Sequence, residues 1–146
     1  MMIRPRSSTG MDIPGETSSV AEQRRFAFQL LPIISQALNK DGFRATVFDP
    51  NEDENPDYSV WNIMLDGSLS KRHQQDGYYP VEIVSPVLDA DMDSKWTKLV
   101  DGLWKTLLQS FEFRMDSTCG FHIHLSFSQG DFSLSQLRNV AKAVAF

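Results

Sequence analysis

The sequence lacks most of the features that assign a protein to a specialised class. Cys119 is the single cysteine among 146 residues, so no internal disulfide can form, and a reducing compartment is expected. No apolar run approaches the length of a transmembrane helix. The first ten residues also lack the apolar core of a secretory signal. These absences predict a cytoplasmic protein without a membrane partner.

Positive charge is also scarce and dispersed. The chain has 14 Lys and Arg against 19 Asp and Glu, which gives a formal net charge of −5. No basic patch of the kind that binds nucleic acids is visible, so we expect no nucleic-acid partner. With 41% hydrophobic residues, the composition is instead typical of a globular protein, and the length fits one domain.

Hydrophobic periodicity predicts a mixed organisation of helices and strands. Residues 1–18 show no periodicity and are predicted to be a disordered lead-in to a domain at 19–146. Helices are predicted at 19–39, at 96–111 after a cap at Asp93 or Ser94, and from 134 onward after a capping box of Ser133 and Gln136. Strands are predicted at 45–48, 60–66, 79–85, 111–115 and 119–127. Grouped strands with short connections favour an α+β domain with a mainly antiparallel sheet packed by helices.

Three details of these elements can be checked against a structure. Pro32 is expected to kink or split the first helix. Pro80 is expected to lie in an edge strand or at the first position of a strand. Leu134 and Leu137 are expected on the buried face of the last helix.

The predicted strand from Cys119 to Phe127 carries two histidines on one face. Alternate residues of a strand point the same way, so His122 and His124 would be about 6.6 Å apart at the backbone. Imidazole binds metal ions, and its charge can change near neutral pH. The pair could therefore converge on one ion or one phosphate. From spacing alone, a solvated polar face is the slightly favoured interpretation.

Glu82 interrupts an otherwise apolar strand. It lies between Val81 and Ile83 and should face away from them. A buried carboxylate there would need a cation, whereas a position on the wet face of the sheet explains Glu82 equally well. Asp66 ends the preceding strand, where binding groups often occur, although a structural turn is the simpler interpretation. His73 lies in a polar loop, and no function is assigned to it.

Four blocks of the sequence, taken together, resemble the amidoligase enzymes of fungal type. They are Trp61–Leu69, Gly77–Leu88, the helix from Trp96 to Trp104, and Ser117–Leu125. The motifs Glu-Ile-Val-Ser-Pro and Cys-Gly-Phe-His-Ile-His, in this order and flanking a helix, are the most specific. The resemblance covers roughly residues 30–146. This family is related to glutamine synthetase and glutamate–cysteine ligase.

The resemblance implies ATP-dependent joining of a carboxylate to an amine. In such enzymes the carboxylate attacks the γ-phosphate of ATP, and the amine displaces phosphate from the acyl phosphate. ATP and Mg²⁺ are the implied cofactors, and a small-molecule or peptide carboxylate and an amine are the implied partners. By resemblance, the catalytic and metal-binding residues are Glu82 and His122, and the nucleotide- and substrate-binding residues are Asp66, Ser68, Ser85 and His124.

Two departures from the family pattern indicate an incomplete domain. Such ligases usually begin with a strand that carries a Glu-x-Glu pair, but residues 1–18 contain only Asp12 and Glu16 and are not predicted to form a strand. The family domain also continues past the last helix of this chain. Two alternatives stay open: an inactive remnant that self-associates through exposed sheet edges, and a zinc-dependent hydrolase that uses His122, His124 and Glu82.

Overall fold

A computed structural model describes residues 1–14, 18–89, 95–126 and 130–144. Within these residues the chain forms five strands, three α-helices and one short 3-10 helix at Ser7–Thr9. The elements are β1 (Met2–Pro5), α1 (Val20–Lys40), β2 (Ala45–Val47), β3 (Trp61–Leu65), β4 (Tyr79–Val84), α2 (Lys95–Ser110), β5 (Phe111–Arg114) and α3 (Leu134–Val144). None of the helices in these ranges combines the length and the apolar content that crossing a bilayer requires.

The strands form one sheet in the order β2-β3-β4-β1-β5. Neighbours pair antiparallel along β3-β4-β1-β5, and only β2 and β3 pair in parallel. The predicted α+β fold with a mainly antiparallel sheet is confirmed.

The first strand lies in a segment that was predicted to be disordered. β1 pairs with β4 on one side and with β5 on the other, and Met2 and Ile3 are completely buried. The prediction of disorder is therefore wrong for residues 2–5. Four residues are too short for a periodic signal, and the strand is held by hydrogen bonds to distant partners rather than by local preference. The boundary at residue 18 stays a prediction.

Both faces of the sheet follow from the register. The apolar face is formed by Ile3, Trp61, Ile63, Tyr79, Val81 and Phe111. Helices α1 and α2 pack against it through a buried set that includes Leu30, Leu31, Ile34, Leu38, Leu103 and Leu107. Because side chains alternate along a strand, the opposite face, called the polar face, carries the charged residues Arg4, Glu82, Glu112 and Arg114. The same face also includes Met2, Asn62 and Pro80, which are buried.

Local signals set the ends of α1. The Ser19 hydroxyl accepts a hydrogen bond from the Glu22 amide (3.3 Å), and the Glu22 carboxylate accepts one from the Ser19 amide (2.7 Å), which completes a capping box. Gly42 follows the helix with φ +88°, a left-handed conformation that favours glycine at a helix end. Pro32 does not split α1, because this residue is exposed while the apolar stripe runs on continuously beneath it.

Pro80 occupies an interior strand, contrary to the prediction of an edge or first position. It is the second residue of β4, which lies between β3 and β1. Its carbonyl accepts a hydrogen bond from the Asp66 amide (3.3 Å), so its ring nitrogen also faces that side, one residue past Leu65, the end of β3. The missing N–H therefore removes only the second hydrogen bond of the terminal pair Asp66–Pro80, at the end of the β3–β4 ladder.

The predicted histidine strand is absent from the described residues. Residues 119–126 adopt no regular structure, and Phe121 and Ile123 are 80% and 65% exposed; Phe127 lies outside the described residues. The sequence alternates as a strand does, but a strand also needs a neighbouring strand and a surface to cover its apolar side. Neither is supplied to this segment by the described part of the chain.

The last helix forms where predicted but does not pack as predicted. The backbone N–H of Ser133 donates to Gln136 Oε1 (2.9 Å), and the backbone N–H of Gln136 donates to the Ser133 hydroxyl (3.4 Å). The predicted capping box is therefore confirmed. Leu134 and Leu137 are 65% and 49% exposed, however, so the prediction of a buried face is wrong for both. The predicted caps of α2, Asp93 and Ser94, lie outside the described residues.

Candidate functional site

Glu82 stands on the polar face of the sheet. It lies directly opposite Met64 of β3 and is exposed. No other described residue forms a hydrogen bond or ion pair with its carboxylate. The structure thus agrees with the solvated-face interpretation of Glu82. An exposed, unpaired carboxylate on a rigid interior strand can accept a cation without losing an internal partner.

Asp66 lies close to Glu82 on the same face. The hydrogen bond from its amide to Pro80 extends the pairing of β3 and β4 by one residue. Asp66 is therefore the diagonal neighbour of Glu82, at a backbone separation of about 7–8 Å. Its Oδ1 accepts hydrogen bonds from the amide (2.9 Å) and hydroxyl (2.5 Å) of Ser68. The structure shows the turn at Asp66, and the binding roles of Asp66 and Ser68 stay predictions.

Ser85 lies at the opposite end of β4 from Asp66. It follows β4 at the end that pairs with Asn62, whereas Asp66 lies at the end near Pro80. Five residues of extended chain, about 16 Å, separate Pro80 from Ser85. A ligand that touched both Asp66 and Ser85 would have to span the length of β4.

The two histidines do not have the geometry of a strand. Both lie exposed in the irregular segment, and the His122 ring folds back against Gly120. A Cβ atom placed on Gly120 would stand 2.7 Å from His122 Nε2. The space beside Gly120, where other residues have a side chain, is thus occupied by the His122 imidazole. The metal role of His122 and the nucleotide role of His124 stay predictions.

The described residues do not assemble a multi-ligand metal site. Across the ranges 1–14, 18–89, 95–126 and 130–144, no group of three or more His, Cys, Asp and Glu side chains is arranged to hold one ion. The zinc site that combines His122, His124 and Glu82 is therefore not formed. A magnesium ion held by fewer protein ligands, with the phosphates of a nucleotide completing its coordination, does not require such a group.

The described residues contain a densely connected polar group that the sequence did not predict. We call it the His73 cluster: Arg72, His73, Asp76, Arg114 and Asp116. Arg114 NH1 lies 3.0 Å from His73 Nδ1 and 2.6 Å from Asp76 Oδ2. On the other side of the ring, Arg72 Nε lies 2.9 Å from His73 Nε2, and Arg72 NH2 lies 3.1 Å from Asp116 Oδ2. A guanidinium and a carboxylate therefore flank each ring nitrogen.

Asp116 joins this cluster to the start of the histidine segment. Its side chain is only 6% exposed, and its Oδ1 accepts hydrogen bonds from the Thr118 hydroxyl (2.6 Å) and amide (2.8 Å). Those two bonds, with the nearby charges of Arg72 and His73, lower the pKa of the Asp116 carboxyl. The Thr118 hydroxyl also accepts from the Ser70 amide (3.1 Å). Loop 66–77 and turn 116–118 are thereby fastened together.

Part of this cluster had a signal in the sequence. In Phe111–Arg114 the apolar and charged residues alternate, which assigns Glu112 and Arg114 to the polar face. His73 and Asp116 had no such signal, because their contacts join loops that are about 40 residues apart along the chain.

Most of the chain matches a known protein family. The model of a family described as "Putative amidoligase enzyme" matches residues 16–146. The chain belongs to the amidoligase family. No curated protein and no solved structure gives a significant match. The resemblance seen in the sequence is therefore confirmed at the level of the family, while the fungal type and the relation to glutamine synthetase stay predictions.

The amidoligase match covers the predicted site but not the whole sheet. Glu82, Asp66 and both histidines fall inside residues 16–146, whereas β1 precedes the matched segment. The polar side chain that β1 contributes is Arg4 rather than a carboxylate. The Glu-x-Glu pair expected by resemblance is thus absent from β1, even though these residues do form a strand.

Proposed function

We propose that the chain is an ATP-dependent carboxylate–amine ligase that acts through an acyl phosphate. The observation that carries this proposal is the match of the amidoligase family to residues 16–146. In the proposed reaction a carboxylate oxygen attacks the γ-phosphorus of ATP, and ADP leaves. The amine nitrogen then attacks the acyl carbon, loses a proton, and releases inorganic phosphate.

Glu82 is the proposed metal ligand. Mg²⁺, when bound, would neutralise the phosphates and polarise the transferred group. The donors on the polar face fit this ion: Mg²⁺ prefers oxygen ligands, and Glu82 and Asp66, which both carry carboxylates, are diagonal neighbours in the register. Asp66 and Ser68 would border the substrate at this end of the sheet.

The histidines have separate roles in the proposal. His122 would contact the metal or a phosphate, and His124 would lie beside the nucleotide together with Ser85. Both histidines are exposed in an irregular segment whose start is fastened to loop 66–77 through Thr118 and Ser70. In the proposal, the bound nucleotide contacts residues 119–126 and the polar face together.

Calorimetric titration with magnesium–ATP tests the proposed site. Wild type should give saturable heat, and Glu82→Gln should weaken the affinity by about ten-fold or more. The matched control is Glu54→Gln, which makes the same change at an exposed loop position and should bind as wild type does. Absence of heat at millimolar nucleotide would count against retained ligase function.

A second function, an interaction module without ligase activity, is favoured by a different observation. Apolar side chains of the histidine segment and α3 are exposed, including Phe121, Ile123, Leu125 and Leu134. Sedimentation of wild type at rising concentration checks this alternative. Reversible self-association in a protein that binds no nucleotide would favour the inactive module.

A further inference from the structure

A solvent-open cavity of about 500 Å³ lies beside β1, and no role in the proposed ligase reaction has been assigned to it. Its lining includes Arg4, Ile13, Asp76, Gly77, Tyr78 and Arg114. The cavity borders the His73 cluster at Asp76 and Arg114. Binding sites for small ligands are typically concave, with an apolar wall and a few polar groups that fix orientation.

Among the described residues that line this cavity, Arg4 is the charge without an ion-pair partner. Arg4 is half-buried, and its guanidinium carbon lies 5.8 Å from the centre of the Tyr78 ring. No ion pair or side-chain hydrogen bond joins it to another described residue. Its cross-strand neighbour is Glu112, but Glu112 Oε1 lies 3.5 Å from Arg6 NH1 and Oε2 accepts from the Tyr78 hydroxyl at 3.3 Å. The carboxylate expected to pair with Arg4 is therefore directed elsewhere.

Arg114 contributes a second guanidinium, but its charge is already balanced. It lies 4.8 Å from the centre of the Tyr78 ring and 2.6 Å from Asp76 Oδ2. The described residues of the lining thus carry two positive charges and one negative charge, a net of one positive charge. A single unmatched guanidinium suits one carboxylate, which it can hold with two parallel hydrogen bonds. The several charges of a nucleotide's phosphates would not be matched.

A smaller, apolar part of the lining suits an apolar or aromatic body. Ile13 and the Tyr78 ring supply an apolar wall. Gly77, with φ +80°, makes room for that wall: an added Cβ would stand 2.7 Å from Ile13 Cγ2 and 3.6 Å from Arg4 Nε. A side chain at this position would therefore push Ile13 and crowd Arg4.

We propose that this cavity binds a small organic acid, with its carboxylate on Arg4 and an apolar or aromatic body against Tyr78 and Ile13. The identification of this acid as a substrate of the ligase rests on the function proposed above. The binding itself does not, because it requires neither nucleotide nor Mg²⁺.

NMR titration of the ¹⁵N-labelled full chain with benzoate tests the proposal. Benzoate should shift the amide signals of Gly77 and Tyr78 to saturation, and neutral benzamide should not. Arg4→Gln should weaken benzoate binding by roughly ten- to hundred-fold. The matched control is Arg24→Gln. The guanidinium of Arg24 also lies 5.8 Å from an aromatic ring, that of Phe28, but Arg24 is on the exposed face of α1, away from the cavity. This variant should bind benzoate as wild type does.

A second variant decides the matter if Arg4→Gln does not fold. Gln75 is exposed and lines the cavity, so Gln75→Glu places a negative charge there without disturbing the core. It should weaken benzoate binding, whereas Gln36→Glu on exposed α1 should not. Equal binding of benzamide, unchanged binding in both Arg4→Gln and Gln75→Glu, or tighter binding of inorganic phosphate than of benzoate would each overturn the proposal.

The acid site and the proposed ligase function can be tested independently of each other. Saturable benzoate binding in a chain that binds no magnesium–ATP would overturn the proposed function and leave the acid site standing. Binding of magnesium–ATP with no response to benzoate would do the reverse.

Discussion

The two faces of the sheet differ in burial and in charge: helices cover one face, and the other carries charged side chains. On the apolar face, Ile3, Ile63, Tyr79, Val81 and Phe111 are all completely buried beneath α1 and α2. On the polar face, neighbouring positions of the same strands carry exposed or half-buried charges such as Arg4, Glu82 and Arg114. Alternation along a strand thus leaves these charged side chains available to ligands, while the buried Met2 and Asn62 on the same face also serve the fold.

The largest expected effect comes from the packing over the apolar face. Leu30 of α1 is completely buried, so Leu30→Ala should lower the free energy of unfolding by about 2–5 kcal/mol. Urea denaturation measures this loss. The matched control is Leu137→Ala in α3, where the side chain is 49% exposed and the change should stay within about 0.5 kcal/mol. Similar losses in the two variants would contradict the described packing.

A smaller effect of opposite sign is expected at Tyr79. Its ring packs 4.9 Å from that of Phe26, but its buried hydroxyl has no hydrogen-bond partner among the described residues. Tyr79→Phe should therefore raise stability by about 1 kcal/mol. Burial also raises the pKa of the Tyr79 phenol, so wild type should lose stability above about pH 10. A variant less stable than wild type would reveal a partner for the hydroxyl.

The stability of the protein at acid pH should depend on Asp116. Its folded pKa is lowered, chiefly by the Thr118 hydroxyl. The resulting stabilisation is therefore fully present above the unfolded pKa of about 3.9, and it is lost as the pH falls through the folded value. Urea denaturation between pH 6 and 3 should show a shallower decline for Asp116→Asn than for wild type. Asp101→Asn, on exposed α2, should leave the slope unchanged; equal slopes for all three proteins would contradict the assignment.

The smallest effect on stability is expected at the proposed metal ligand. Glu82→Gln should change the free energy of unfolding by no more than about 0.5 kcal/mol, because Glu82 is exposed and has no described side-chain partner. Urea denaturation beside the binding assay measures this. A large loss of stability would show that Glu82 serves the fold, and the separation of the two faces would then fail.

Elements with local signals were predictable from the sequence. The apolar stripe and capping box specify α1, and alternation specifies β3 and β4, because each pattern is complete within a few turns or residues. β1 was not predictable, since its four residues are held by partners more than 70 positions away. The histidine segment shows the converse: its alternation is clear, but no described strand pairs with it.

The candidate site was predictable only in part. The position of Glu82 on the polar face follows from its apolar neighbours Val81 and Ile83. The His73 cluster and the cavity at Arg4 depend on loops and strands that meet only in the folded chain, and neither has a motif. Charge balance, which decides that Arg4 is unmatched and Arg114 is not, requires the side-chain contacts themselves.

The most direct test of ligase chemistry on the polar face uses hydroxylamine as the amine. Full-length wild type, magnesium–ATP and a panel of small carboxylic acids should yield hydroxamate together with equal amounts of ADP and inorganic phosphate. Glu82→Gln, folded and equally stable, should lose about ten-fold or more of this activity. No carboxylate-dependent phosphate release from folded wild type, or undiminished hydroxamate formation by Glu82→Gln, would contradict the account.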